Sequence, residues 1–320
     1  MPGRNRGTWS SRVSFIGNWS YPLCSLIAMG LTPLISAEWN WRVQLLIPAI
    51  LSLFATALAW RYFPESPRWL ESRGRYQEAE KVMRSIEEGV IRQTGKPLPP
   101  VVIADDGKAP QAVPYSALLT GVLLKRVILG SCVLIAMNVV QYTLINWLPT
   151  IFMTQGINLK DSIVLNTMSM FGAPFGIFIA MLVMDKIPRK TMGVGLLILI
   201  AVLGYIYSLQ TSMLLITLIG FFLITFVYMY VCYASAVYVP EIWPTEAKLR
   251  GSGLANAVGR ISGIAAPYAV AVLLSSYGVT GVFILLGAVS IIVAIAIATI
   301  GIETKGVSVE SLSIDAVVNK

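Results

Sequence analysis

The sequence predicts an all-α polytopic membrane bundle in which eight helices cross a lipid bilayer. Three observations carry that prediction. Hydrophobic residues make up 56% of the chain and charged residues only 12%. No Asp, Glu, Lys or Arg occurs in 43–60, 127–159, 162–184 or 191–240, and 251–302 holds only Arg260. A bilayer core needs roughly 20 apolar residues per helix, and a soluble protein of this size does not carry such runs. The third observation is an internal repeat. Arg6-Gly7, two spans and Glu65 recur as Arg250-Gly251, two spans and Glu303, at intervals of 59 and 53 residues.

The spans follow from the runs. The first covers 13–33 and the second 42–61. The third and fourth are 127–151 and 162–184. The run 191–240 is long enough for two crossings, 191–209 and 212–237, joined near Gln210. The last two are 252–275 and 279–301. Pro22, Pro48, Pro149, Pro174 and Pro267 fall inside or at the ends of these spans. Membrane helices tolerate proline because neighbouring helices satisfy the freed carbonyls.

The repeat sets the domain organisation. Six spans lie between the first repeat ending and the second, so a full unit has six, and four further spans are expected ahead of the first. Residues 1–62 then close an N-terminal six-helix half, 63–126 form a cytoplasmic central loop with a surface helix, and 127–320 form a C-terminal six-helix half with a short tail. On its own the chain is expected to be an inactive fragment of a twelve-helix protein.

A net charge of +8 could suggest a polyanion partner, but its distribution reports topology. Of 24 Lys and Arg, 21 fall on the side that holds both termini, and only Arg42 and Lys160 on the other. By the positive-inside rule this predicts a multi-pass protein of the cytoplasmic (inner) membrane with both termini cytoplasmic. Nucleic acid is not expected as a partner, and membrane lipid is. Cys24, Cys132 and Cys232 stand alone in different spans and read as packing residues. Without histidine, zinc-type ligation and histidine-based catalysis are not expected, and neither metal nor cofactor is called for. The basic start resembles a signal peptide, but its apolar stretch is of full membrane length and seven more spans follow.

In the central loop, Tyr76, Ala79, Met83 and Ile86 share one face of a surface helix, and Glu80 and Arg84 form an i,i+4 pair on that helix. Residues 95–114 read as linker. The segment Gly89 to Lys96 departs from a phosphate loop: five residues separate its glycines, and Pro97 stands where Ser or Thr is required.

Polar groups inside the spans are costly and therefore informative. The third span carries Asn138, Gln141, Tyr142 and Asn146 at spacings that share a face. The first carries Asn18, Trp19 and Tyr21. The sixth carries Tyr228, Tyr230, Tyr233 and Tyr238, and the seventh Asn256 and Arg260. Each could line a polar cavity for a small solute or make an interhelical hydrogen bond, and the third-span cluster favours the cavity. Candidate solute-binding residues are Asn18, Trp19, Asn138, Gln141, Tyr142, Asn146, Tyr233 and Asn256. Gly172-x3-Gly176 and Gly259-x3-Gly263 allow close helix approach. Arg260 is open between snorkelling to the cytoplasmic face and acting as a substrate-facing or gating cation. No Asp or Glu lies mid-span, so if transport is proton-coupled the titrating group is expected in helices outside this chain.

Four motifs in order resemble the major facilitator superfamily, in its sugar-porter-like and metabolite-transporter branch. Pro64-Glu65-Ser66-Pro67-Arg68-Trp69-Leu70 is similar to the segment after the sixth helix there. Asp185-Lys186-Ile187-Pro188-Arg189-Lys190 resembles the loop between the eighth and ninth. Pro240-Glu241-Ile242-Trp243-Pro244-Thr245, with Arg250-Gly251-Ser252-Gly253, resembles the loop between the tenth and eleventh. Ile302-Glu303-Thr304-Lys305-Gly306 is similar to the end of the twelfth. The resemblance implies that Glu65, Arg68, Asp185, Arg189, Glu241, Arg250 and Glu303, with Arg260 as a further candidate, belong to a cytoplasmic gate. Ala136-Met137-Asn138 stands where sugar porters tend to carry paired glutamines, Pro188 where they carry glycine, and Ile302 where they carry proline. The fold expectation survives these departures, and the substrate stays open between a sugar and another polar metabolite. The expected function is a secondary transporter, monomeric at full length, that moves a small polar organic solute with protons as the candidate coupling ion. The rival is a polytopic membrane enzyme or a non-transporting assembly factor, and no catalytic cluster supports it.

Overall fold

A computed structural model describes residues 6–95, 97, 114–244 and 247–305, and these residues form helices with no strand. Most of the expected linker, the tail from Gly306 and the Arg68 side chain lie outside the described residues. Among the described residues six helical stretches are long and apolar enough to cross a membrane; the last of them holds two helices, and the first expected span is divided. The first expected span starts earlier, at Arg6, and divides at Trp19 into α1 (Arg6–Asn18) and α2 (Ser20–Leu31). The last two expected spans, 252–275 and 279–301, lie within α13 (Lys248–Ile300), which is two helices joined by a kink at Gly278, between the expected bounds. There φ is 67° and ψ −159°, a backbone region open essentially to glycine alone.

The chain divides into two units, 34–109 and the remainder. The smaller contains α3 (Ala37–Tyr62), α4 (Pro67–Ser72) and α5 (Tyr76–Thr94). Proline at the first position of α4 suits a helix start, and Gly95, at φ 64°, closes α5 in the left-handed conformation. Leu70 of α4 and Ala79 of α5 are buried where these two helices pack. Along α5, Glu80 and Arg84 pair at 2.6 Å, as their spacing predicts.

The larger unit is a helix bundle. It adds α6 (Tyr115–Leu118), α7 (Gly121–Thr154), α8 (Leu159–Met170), α9 (Gly172–Val183), α10 (Arg189–Ser208), α11 (Met213–Val231) and the short α12 (Val239–Glu241). α13 packs against α7 and α10, and α11 against α8, α9 and α10. α1 lies on α9 and α2 on α8. Between α11 and α12 the helix widens to a π-helical segment, Cys232–Tyr238. Pro240 follows after Val239, and its ring would clash with the carbonyl four residues back in a regular α-helix. One wider turn relieves that clash and stacks Tyr233 on Tyr238, with centroids 5.0 Å apart and an interplanar angle of 15°.

The paired glycines sit where backbones meet. A Cβ at Gly172 or Gly176 would run into the α11 backbone at Phe221 and Thr225. A Cβ at Gly259 would lie 2.8 Å from Leu134 Cβ of α7. Gly195, by contrast, has nothing within 4 Å of such a Cβ. Gly176→Ala is therefore expected to destabilise the bundle by about 1–3 kcal/mol through overpacking, while Gly195→Ala is neutral or slightly stabilising. Thermal unfolding of the detergent-solubilised protein followed by size-exclusion chromatography measures both, and equal melting temperatures would contradict the packing.

Candidate functional site

Two groups of polar residues stand out in the larger unit. The first lies within the apolar spans on α7. Gln141, 9% exposed, donates from Nε2 to the Tyr21 hydroxyl of α2 at 3.5 Å. The Tyr21 ring meets Tyr228 of α11 edge-on, with centroids 5.1 Å apart. Tyr142, one residue on, accepts a hydrogen bond from Arg260 Nη1 of α13. Asn138 is buried at the α7–α13 seam, where its Nδ2 donates to the Leu134 carbonyl at 2.7 Å and its Oδ1 has no partner among the described residues. The fold thus gathers Asn138, Gln141, Tyr142 and Arg260.

The other candidates sit around this group or away from it. Asn146 and Asn256 are exposed on α7 and α13, one helical turn from Tyr142 and Arg260 and on the same faces. Asn256 bonds back to Ser252 of its own helix at 2.8 Å. Asn18 likewise bonds to Ser14 at 2.6 Å, and Trp19 packs edge-on against Phe15. Tyr233 is not brought to the group. It is wholly buried, stacked on Tyr238, with its hydroxyl against Gly193 of α10. Tyr21 and Tyr228 take the place expected of it. Both were visible as polar residues in apolar spans, but spacing alone does not say which tyrosine of the sixth span faces α2.

The second group ties three helix ends together. Arg189, the first residue of α10, is only 5% exposed. Its Nε donates to Glu241 Oε2 at 3.0 Å and its Nη2 to Glu241 Oε1 at 3.2 Å, a bidentate pair. The same guanidinium reaches the Met184 carbonyl and, at 3.4 Å, Asp185. Glu303, just beyond α13, caps α10 from a distance: it accepts from the Arg189 amide at 2.8 Å and the Lys190 amide at 3.2 Å. A carboxylate at a helix N-terminus answers both the unpaired amides and the helix dipole. Burial pushes the Glu303 carboxyl up, but the amides of Arg189, Lys190 and Lys305 and the Arg189 charge hold it below its ordinary value. Thr304 donates to Glu241 Oε2 at 2.7 Å, and the Tyr238 hydroxyl bridges to Ile302 at 3.0 Å. Thr304 and Tyr238 complete the network; the sequence named both but did not assign them to this group, because their role depends on the end of α13 folding back onto α10.

Of the remaining gate candidates, Arg250 stacks over Tyr115, 5.2 Å from the ring centroid. Glu65 is exposed between α3 and α4 in the smaller unit.

The model of the sugar (and other) transporter family matches residues 2–316. The chain is 99% identical over 320 residues to YdjK of Escherichia coli strain K12, named for metabolite transport, and covers 70% of that protein. It is 44% identical over 315 residues to the inner membrane metabolite transport protein YdjE of the same organism, covering 98% of this chain and 69% of YdjE. Among solved structures, XylE of Escherichia coli, a proton:xylose symporter bound to 6-bromo-6-deoxy-D-glucose, superposes with a TM-score of 0.63 at 22% identity, covering 98% of this chain and 67% of that one. That likeness speaks for the fold, an all-α major-facilitator bundle. With a match across nearly its whole length, the chain belongs to the sugar (and other) transporter family.

Proposed function

We propose that the chain carries the solute-binding wall and one gate of a secondary transporter that moves a small polar organic metabolite by alternating access. The observation that carries this reading is the junction of Gln141 with Tyr21 and of Tyr142 with Arg260. Polar groups from α2, α7 and α13 converge inside apolar spans, where polarity is retained only at a cost. Asn138, Gln141 and Tyr142 contact the solute, with Tyr21 and Tyr228 beside them. Asn146 and Asn256 extend the same faces, and Asn18 and Trp19 flank them from α1. α1 to α3 close one six-helix unit, the loop through α4 and α5 joins the units, and α7 to α13 form the second. The working protein is a monomer surrounded by lipid, and the likeness to a proton symporter supports protons as the coupling ion. Uptake in proteoliposomes made at the full length of YdjK, with and without a proton gradient, tests the reading. There Gln141→Ala is expected to lower uptake about tenfold, the value of one hydrogen bond, at unchanged membrane abundance. Gln210→Ala, at an exposed helix end, serves as the neutral control. Equal uptake by both variants would remove Gln141 from the site.

Both termini and the α4–α5 segment are assigned to the cytoplasm on the distribution of basic residues. Cysteines introduced at Glu88 and at Lys160 in a cysteine-free background are expected to react with an impermeant maleimide from opposite sides of the membrane. Labelling from one side would reverse the assignment.

The Arg189, Asp185, Glu241 and Glu303 network is the gate, closed when the ends of α10, α12 and α13 are joined. Glu303 has its pKa below the ordinary 4.5, so its stabilisation is complete above that pH and is lost as pH falls through the lowered value. Glu303→Gln should cost about 1 kcal/mol at neutral pH and remove that part of the acid dependence. Melting curves over the acid range check this. Glu241→Gln and Arg189→Gln should each raise cytoplasmic accessibility in the full-length protein, and unchanged accessibility in both would refute the gate.

A further inference from the structure

We infer that Arg260 and Tyr142 form an anion subsite, and that the solute is a small hydroxylated carboxylate. This deepens the transport reading above and rests on it. Arg260 is the only charged residue in 251–302. It stands twelve residues into α13 from Lys248, about 18 Å at helical rise. A cation at that depth either snorkels to the nearer surface or finds a partner. The nearer surface is the end that carries Lys248 and Arg250.

The side chain does not turn that way. Nη1 donates to the Tyr142 hydroxyl, and the guanidinium carbon lies 5.9 Å from the Tyr142 ring centroid. That ring lies beside Gly263, where a Cβ would sit 3.2 Å from Tyr142 Cδ2. Gly263 is almost one turn past Arg260, away from Lys248. The guanidinium is therefore drawn into the span. Its residue is exposed, and among the described residues no carboxylate pairs with it. With no Asp or Glu elsewhere in its own span, the charge has no counterion along α13.

A guanidinium offers five donors in a planar fork that matches a carboxylate with two parallel bonds. Tyr142 holds that fork by one edge and leaves the rest open. Asn138 lies at the same seam, since a Cβ at Gly259 would fall 3.0 Å from its Nδ2. Asn138 is 2% exposed and its Oδ1 has no partner among the described residues. An unsatisfied buried acceptor matches a donor, and a solute hydroxyl supplies one. A carboxylate for Arg260 and a hydroxyl for Asn138 together define a hydroxy acid. A neutral polyol would satisfy Asn138 but leave the cation without a counterion.

The test uses the protein made at the full length of YdjK, reconstituted in proteoliposomes. The probes are D-gluconate against D-sorbitol and D-glucuronate against D-glucose, matched in size and differing in charge. The acids are expected to enter, and to compete with one another, while the neutral members do neither. Arg260→Gln should weaken apparent affinity for the acids by about 10–100-fold, the value of charge-assisted hydrogen bonds. Arg260→Lys should restore part of it, because it keeps the charge and loses the fork. Size-exclusion profiles of each variant separate a binding defect from misfolding. Uptake of the neutral members that Arg260→Gln leaves unchanged would overturn the anion subsite and leave the transporter standing. Uptake of none of the four, with or without a proton gradient, would overturn both.

Discussion

Inside an apolar solvent every polar group must bond to its own helix or to a neighbour, and that single constraint shapes this molecule. Most hydroxyls take the first course. Thr167, Ser169, Thr225, Ser290 and Thr299 all donate to the carbonyl four residues back. Such back-bonding makes them neutral to packing, so they add little to specificity. The groups that take the second course are few, and each marks a place where the bundle is tied together or open to a solute. Tyr230 donates to the Val133 carbonyl at 3.1 Å and fixes α11 on α7. Gln141 and Arg260 reach across to tyrosines on other helices instead. These two contacts are weaker as ties, one being long and the other exposed, and that is why they read as parts of a site rather than as struts.

The same constraint explains why strong electrostatics sits at the helix ends. Exposed ion pairs contribute about 0–1 kcal/mol each, so no one of them could bias a conformational equilibrium. Arg189 differs because it is buried and has several acceptors. Glu241, Asp185 and the Met184 carbonyl divide its donors, while Glu303 takes the amides beneath it. Removing any one partner leaves a buried cation under-satisfied, a larger penalty than the net value of the bond removed. Segments from three different helices must therefore come together at once or not at all. Such cooperativity suits the proposed gate, and it arises from burial of one guanidinium rather than from the number of charges around it.

Much of the fold was legible in the sequence because hydrophobic run length is a direct consequence of bilayer thickness. Both ends of α10, the start of α11 and the end of the π-helical segment that continues it fall within two residues of expectation for that reason. What escaped was local backbone geometry. The break at Trp19 and the turn at Phe171 between α8 and α9 leave apolar run length unchanged, so hydropathy is blind to them. The π-helical segment was foreshadowed only by Pro240, and its effect was to turn Tyr233 toward α10 and away from the α7 group. One widened turn rotates every side chain beyond it, and for this reason counting residues along the sixth span could not choose between Tyr228 and Tyr233.

The site was legible to a different degree. Chemistry-bearing residue types on α7 announced themselves by their cost in an apolar run, and the charged residues of the proposed gate by their motifs. Direction was not legible. Arg260 read from the sequence as equally able to bend toward the helix end or to stay within the span. The choice is made by two residues without side chains. Gly259 and Gly263 let α7 approach closely enough for Asn138 and Tyr142 to lie against α13, and Tyr142 then holds the guanidinium in the span. A larger residue at either position would force the helices apart, lengthen the reach from Arg260 to Tyr142, and return the cation to the surface. The small-residue pair that reads as packing in the sequence is therefore also what positions the charge.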